Sequence, residues 1–210
     1  MKLVFVHGWG FDARLWDAVI ACLPDADMVR FDLGYFGERL WPVVEGPCLA
    51  ITHSFGAMAL LADPPAGCRG LVAINGFDRF TQMSGRPGVP SRVLDRMIAR
   101  MESDPDGVLR DFHARLGSAV PEGTLHVDRL LQDLAAMRDG DRRGAVADWG
   151  RPLVALDGAD DPLLTPSVRQ AQFVSATDLE RETVEGGGHV LPVTHPRLCA
   201  AWIEGLRATA

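Results

Sequence analysis

The sequence predicts an α/β architecture, a mostly parallel, doubly wound sheet with a helical block inserted into it. Three observations lead there. Short stretches such as residues 3–6, 48–51 and 71–74 are apolar throughout, which is the pattern of parallel strands covered on both faces rather than of a half-solvated sheet. Glycine-bearing loops and helix-period segments follow these stretches, the alternation that builds βαβ units. From Phe77 to Asp148 strands disappear and amphipathic helices take over, so the sheet is interrupted there and resumes at Leu153.

Taken in order, strand 3–6 runs into His7-Gly8-Trp9-Gly10. Glycines directly after a buried strand let the backbone turn sharply and present N–H groups to an anion or oxyanion. The third glycine of a dinucleotide-binding fingerprint is absent, since Ala13 stands near its place. Asp12 can cap a helix whose apolar face is Leu15, Trp16, Val19, Ile20 and Leu23, stopped by Pro24. Strand 28–31 follows, then a loop with Gly34 and Gly37. The link over 38–47 is too short for an ordinary crossover helix with its loops, which takes about 10–12 residues.

Residues 48–61, CLAITHSFGAMALL, read as strand, sharp turn and helix, with Ser54 at the apex. A serine on such a turn has its hydroxyl thrust above the sheet, and the residues two before and two after it must be small. Gly56 meets that demand and Thr52 meets it in part. An ordinary strand–helix turn with a capping serine fits the same stretch. Strand 71–74 ends in Asn75-Gly76. Helices are expected over 90–101, 105–116 and 123–137, a strand over 153–156, a helix over 167–174, a strand over 179–184 and a closing helix over 195–206. The domain division is a core of 1–76 and 149–210 with a helical cap over 77–148.

Composition narrows the function. Hydrophobic content of 47% with 23% charged residues is that of an ordinary globular chain. A net charge of −7 argues against nucleic-acid binding, which needs a basic surface to displace counterions. Residues 79–148 hold eleven arginines and eleven acids, so the net charge lies entirely outside this arginine-dense block. Cys22, Cys48, Cys68 and Cys199 are scattered in apolar contexts and read as buried free thiols rather than a disulfide frame or metal site. Four apolar residues before His7 are too few for a signal-peptide core, so the expected location is the cytoplasm.

Polar residues that follow strands meet along one edge of a parallel sheet. Ser54 follows one strand, Asp160 or Asp161 a later one and His189 the last. Serine becomes a nucleophile only when a histidine accepts its proton, and that histidine needs a carboxylate to fix its tautomer. An oxyanion needs two N–H donors, for which Phe55 and Trp9 are candidates. His7 is expected to brace the glycine turn, His53 to point away from the open side of the elbow, and His195 to start the last helix. His113 and His126 fall in helical patterns without metal spacing and are expected on solvated faces.

Four motifs, VHGWG (6–10), THSFG (52–56), GADDPLLTP (158–166) and GGGHVLPVTHP (186–196), give the chain its resemblance to the α/β-hydrolase family, over nearly its whole length. The HGWG turn, the WGRPLVALDG stretch and the H-x-L-P-x-x-H-P tail look most like the branch of that family that demethylates pimeloyl-acyl-carrier-protein methyl ester in biotin synthesis. The resemblance implies the α/β-hydrolase fold, a cofactor-free serine carboxylesterase and a small acyl ester substrate carried on acyl carrier protein. It matches Asp161 to the acid of the Ser54, His189 pair and leaves Asp160 as a neighbour. It also implies carrier docking by the cap, here through Arg92, Arg96 and Arg100 on one helix and Arg110 and Arg115 on the next, although solvated faces paired with Asp95, Glu102 and Asp111 fit the same rows. Phe112 is a further candidate for substrate binding. Thr52 at the first elbow glycine, Gly34 in place of a loop proline and the short link before the elbow depart from the family pattern. A thioesterase or lactonase would use the same triad, and a binding module could keep the fold without the chemistry.

Overall fold

The computed structural model describes residues 1–209. Six strands form one sheet in the order β2-β1-β3-β4-β5-β6, every neighbouring pair parallel. They are β1 Lys2–Val6, β2 Met28–Phe31, β3 Cys48–His53, β4 Cys68–Ile74, β5 Leu153–Gly158 and β6 Leu179–Val184. The uninterrupted apolar runs are explained by burial on both faces. Along the central strands Leu3, Phe5, Leu49, Ile51, Val72, Ile74, Val154 and Leu156 pack into one core, whereas Val4, Val6, Ala50, Leu71, Ala73 and Ala155 pack into another on the opposite face. The edge strand β6 alternates differently, exposing Glu180 and Glu182, and charge at an edge discourages pairing with another chain.

Helix α1 (Asp17–Ile20) and the C-terminal α9 (Pro196–Thr209) cover the first face, and α2 (Gly56–Ala62) belongs to the second. The expected first helix is split into a 3-10 turn over Ala13–Trp16 followed by α1, and Asp12 caps it by accepting from the Arg14 N–H at 2.9 Å. Between β4 and β5 lie α3 (Ser91–Met101), α4 (Pro105–Leu116), α5 (Val127–Asp139) and a short α6 (Arg143–Ala147) that sequence patterning did not predict. The apolar faces of α3, α4 and α5 form a third core with Trp9, Phe36, Phe55 and Phe77 from the loops of the sheet, whereas Val146 of α6 packs into the second sheet-face core. The helical block is thereby joined to the end of the sheet where β1, β3 and β4 finish.

Helix α7 spans Pro166–Ala171, ending before the expected Val174 because Gln172 is already extended (φ −76°, ψ 147°), and Phe173 at φ +55° continues the turn. A one-turn helix α8 (Leu191–Thr194) precedes α9. No described helix is long and apolar enough to cross a membrane. All four cysteines are free, with Cys22 alone not buried, and Cys48 and Cys68 are register partners on β3 and β4.

Candidate active site

The turn after β3 sets the geometry. Ser54 sits at φ +53°, a conformation that costs a non-glycine residue energy and is held only where its surroundings over-determine it. Here the surroundings are tight: a Cβ on Gly56 would lie 2.6 Å from the carbonyl oxygens of Val6 and His7, and one on Gly8 would lie 2.9 Å from Ser54 Cβ. Both glycines let β1 and the elbow approach, and so bring the HGWG turn against Ser54. Thr52, where the family pattern has glycine, is accommodated inside β3, fully buried and beside β4.

Loops after β5 and β6 supply the partners. The Ser54 hydroxyl donates to His189 Nε2 at 2.9 Å, and His189 Nδ1–H donates to Asp161 Oδ2 at 2.7 Å. Asp161 Oδ1 accepts the N–H groups of Leu163 at 2.7 Å and Leu164 at 3.1 Å. Burial works against charge on Asp161, but the His189 ring and these N–H donors outweigh it and hold the carboxyl below its ordinary pKa. Asp160 points elsewhere: it is exposed, its side chain has no hydrogen bond, and only its backbone N–H is engaged, by Gly187. Of the two acids, Asp161 alone meets the histidine.

Asn75 is a member of this cluster that sequence reasoning did not single out beyond the end of a strand. It is fully buried at φ +47° and donates Nδ2–H to Asp161 Oδ2 at 2.8 Å and to the Gly188 carbonyl at 3.4 Å. Its place just past β4, on the edge where Ser54 follows β3, was the available signal.

The histidines divide clearly. His7 donates Nδ1–H to the Gly8 carbonyl at 2.9 Å and accepts the Leu33 N–H at Nε2, so it braces the glycine turn as expected. His195 precedes the proline that opens α9. His53 is buried behind the elbow and donates Nε2–H to the His189 carbonyl. His113 corrects the expectation of a solvated face. It is buried, donates to the Gly10 carbonyl at 2.7 Å and accepts from the Ser118 hydroxyl at 2.9 Å, and burial lowers its pKa. The signal was its spacing: Leu109, His113 and Leu116 fall on one helical face. His126 is half-buried at the start of α5, its N–H bonded to the Tyr35 carbonyl, and so is not on a solvated face either.

Ser54 opens into a cavity of about 510 Å³ lined mainly by apolar side chains from the helical block, among them Leu94, Met97, Phe112, Leu134 and Met137. Phe112 stacks edge-on against Trp9 with ring centroids 4.9 Å apart. The Trp9 indole N–H is committed to the Leu130 carbonyl at 3.0 Å, whereas among the described residues the backbone N–H groups of Trp9 and Phe55 have no hydrogen-bond partner. The Phe55 side chain lines a different cavity. Arg96, Arg100 and Arg115 line the Ser54 cavity together with Asp111. Arg100 is paired with Asp104 and Asp111, and Arg115 donates to the Pro162 carbonyl, while Arg92, Arg96 and Arg110 are exposed and unpaired among the described residues.

A parallel sheet with helices on both faces, a strained serine after its third strand and Ser, Asp and His in chain order define an α/β-hydrolase-type protein. Comparison with known families agrees: residues 38–202 match the alpha/beta hydrolase family, and the chain belongs to it. Among similar proteins is a pimeloyl-[acyl-carrier protein] methyl ester esterase of Methylococcus capsulatus, 25% identical, with 100% of this chain and 95% of that protein covered. Another of the same name, from Stenotrophomonas maltophilia strain R551-3, is 26% identical over 96% of this chain and 91% of its own length. Among solved structures, an esterase from Exiguobacterium antarcticum superposes with a TM-score of 0.82 at 15% identity, covering 99% of this chain and 92% of that one. A bromoperoxidase from Bacillus anthracis gives 0.84 at 13%, covering 99% and 91%. These two likenesses speak to the fold.

Proposed function

We propose that this chain is a serine carboxylesterase that works through an acyl-enzyme, with an acyl-carrier-protein-bound methyl ester such as pimeloyl-acyl-carrier-protein methyl ester as its substrate. The observation that carries the reading is the unbroken hydrogen-bond chain from Ser54 through His189 to Asp161, opening into an apolar cavity. Ser54 Oγ attacks the ester carbonyl as His189 Nε2 takes its proton, and Asp161 stabilises the imidazolium. The free backbone N–H groups of Trp9 and Phe55 are the donors for the oxyanion. His189 then returns the proton to the departing alcohol. Water, activated by the same histidine, hydrolyses the acyl-enzyme and restores Ser54. No cofactor enters this sequence.

Residues 77–148 act in this reading as a cap whose inner face, with Phe112 and the apolar residues of α3 and α5, receives the acyl chain. Names of the relatives support the carrier-bound substrate. So does the outer surface, where Arg92 and Arg110 stand exposed with no acidic partner among the described residues, while Arg96 lines the Ser54 cavity. Rim cations of this kind act mainly on association rate and are screened by salt. Arg100 and Arg115, already engaged within the chain, contribute less. The test is kcat/KM for a carrier-bound ester and for a small free ester with Arg92 and Arg110 changed to Glu. A salt-dependent loss confined to the carrier-bound ester supports the reading. Equal effects on both substrates reject carrier docking here while leaving esterase chemistry standing.

A further inference from the structure

A second cavity, of about 300 Å³, shares no lining residue with the Ser54 cavity. Helix α5 presents Arg129, Gln132, Asp133 and Ala136 to it, and a different face, with Leu134 and Met137, to the Ser54 side. Helix α2 and the loop after β2 complete the walls. Leu33, Trp41, Phe55 and Met58 make part of the lining apolar.

Three arginines, Arg39, Arg129 and Arg142, face this space, and none has an acidic partner within 4.0 Å among the described residues. Arg129 Nη1 donates to the carbonyls of Gly34 at 2.7 Å and Gly37 at 2.9 Å. Arg142 Nε donates to the Met58 carbonyl at 3.3 Å, and the Arg39 guanidinium lies over the Trp41 ring, 5.5 Å from its centroid. These contacts orient the guanidiniums without neutralising them. Of the two carboxylates in the lining, Asp133 accepts the Tyr35 hydroxyl at 2.6 Å and lies near enough to Arg39 for their charges to interact, and Asp63 is exposed, so three guanidiniums face two carboxylates. Elsewhere in the same helical block, arginines with an acid in reach are paired, as Arg100, Arg138 and Arg143 are.

Oriented guanidiniums in excess of the carboxylates around them bind carboxylate and phosphate groups by charge-assisted hydrogen bonds, commonly two at a time. A volume of about 300 Å³ is the lower end of the ~300–1,000 Å³ range for small-molecule sites. We infer that this cavity is a second, non-catalytic site for a small organic anion. Its carboxylate or phosphate lies among Arg39, Arg129 and Arg142, and its apolar end lies against Trp41, Phe55 and Met58.

Titration calorimetry on the full chain with hexanoate, hexyl phosphate and inorganic phosphate tests this without measuring turnover, so the outcome is independent of the esterase reading. Saturable binding of hexanoate or hexyl phosphate is expected, and the tighter of the two identifies the headgroup. Arg39→Gln with Arg142→Gln should weaken it at least tenfold. Ala62→Trp, an exposed position in the lining, should do the same by filling the mouth and decides the matter if the double variant does not fold. Arg96→Gln, in the other cavity, should leave binding unchanged. No saturable binding, binding indifferent to Ala62→Trp, or binding lost only in Arg96→Gln would each overturn the inference. Inorganic phosphate binding as tightly as hexyl phosphate would overturn the assignment of the apolar end.

Discussion

His53 donates its Nε2–H to the main-chain carbonyl of His189 at 2.9 Å, so the residue before the serine holds the backbone of the base. Both rings are buried, with centroids 5.1 Å apart, and His53 Nδ1 has no partner. Burial, followed by the neighbouring His189, pushes its pKa down to about 3. His53 is thus a neutral donor whose role is to position His189.

Replacing His53 with Phe keeps the ring volume and removes the donor. Loss of one buried hydrogen bond of ~1–3 kcal/mol corresponds to roughly 5- to 160-fold in rate if it is expressed in the transition state. The expected result is a fall in kcat with little change in KM, and partial recovery in His53→Gln. Steady-state kinetics on a small free ester would show it; a KM effect with kcat unchanged would argue for mere packing.

The same residue makes stability depend on pH. His53 has a folded pKa of about 3 against an ordinary value of 6.5, so below pH 6.5 the unfolded chain binds a proton that the folded chain refuses. Its contribution is therefore present above pH 6.5 and is lost as pH falls toward 3. Between pH 7.5 and pH 5 the wild type should lose roughly 2 kcal/mol through this group, at about 1.4 kcal/mol per pH unit. The variant His53→Gln escapes that loss. Urea melts at the two pH values should show the gap between them narrowing as pH falls, and a constant gap would contradict a neutral buried His53.

Asp160→Asn and Asp161→Asn separate the two acids. Only Asp161 touches His189, so Asp161→Asn should lower kcat on the order of 10³- to 10⁴-fold by mis-setting the tautomer. Asp160 is exposed, and its amide variant should turn over within about twofold of wild type. The reverse ranking would reassign the acid.

Asn75 supplies the carboxylate with a side-chain donor. In Asn75→Gly the positive φ is tolerated and only the amide is lost, so a fall in kcat of roughly 10-fold or more is expected from a charge-assisted bond of ~1.5–3 kcal/mol. Asn75→Ala should be less stable than Asn75→Gly, because alanine adds backbone strain at this φ. Equal melting temperatures for the two would remove the strain argument.

Much of this molecule was legible in the chain because its central strands are buried on both faces. Their apolar runs are unbroken, and β2 and β6 match the expected spans residue for residue. Ser54, His189 and the Asp160-Asp161 pair were visible because each follows a strand in a parallel sheet, where the chain itself dictates which edge they share, and the choice of Asp161 came from the family resemblance. What escaped depends on contacts between distant segments. The split of the first helix, the early end of α7 at Gln172 and the burial of His113 against Gly10 are set by packing that no local pattern encodes. Arg39, Arg129 and Arg142 were unremarkable as separate residues. The folding of α5 over the loop after β2 is what brings them to one cavity.

The central claim is that Ser54 is an activated nucleophile, and intact-mass spectrometry after treatment with a fluorophosphonate tests it most directly. The wild type should gain a single adduct that maps to Ser54, Ser54→Ala should gain none, and His189→Gln should react on the order of 10³-fold more slowly. An unlabelled wild type, or a Ser54→Ala variant labelled at the wild-type rate, would contradict it.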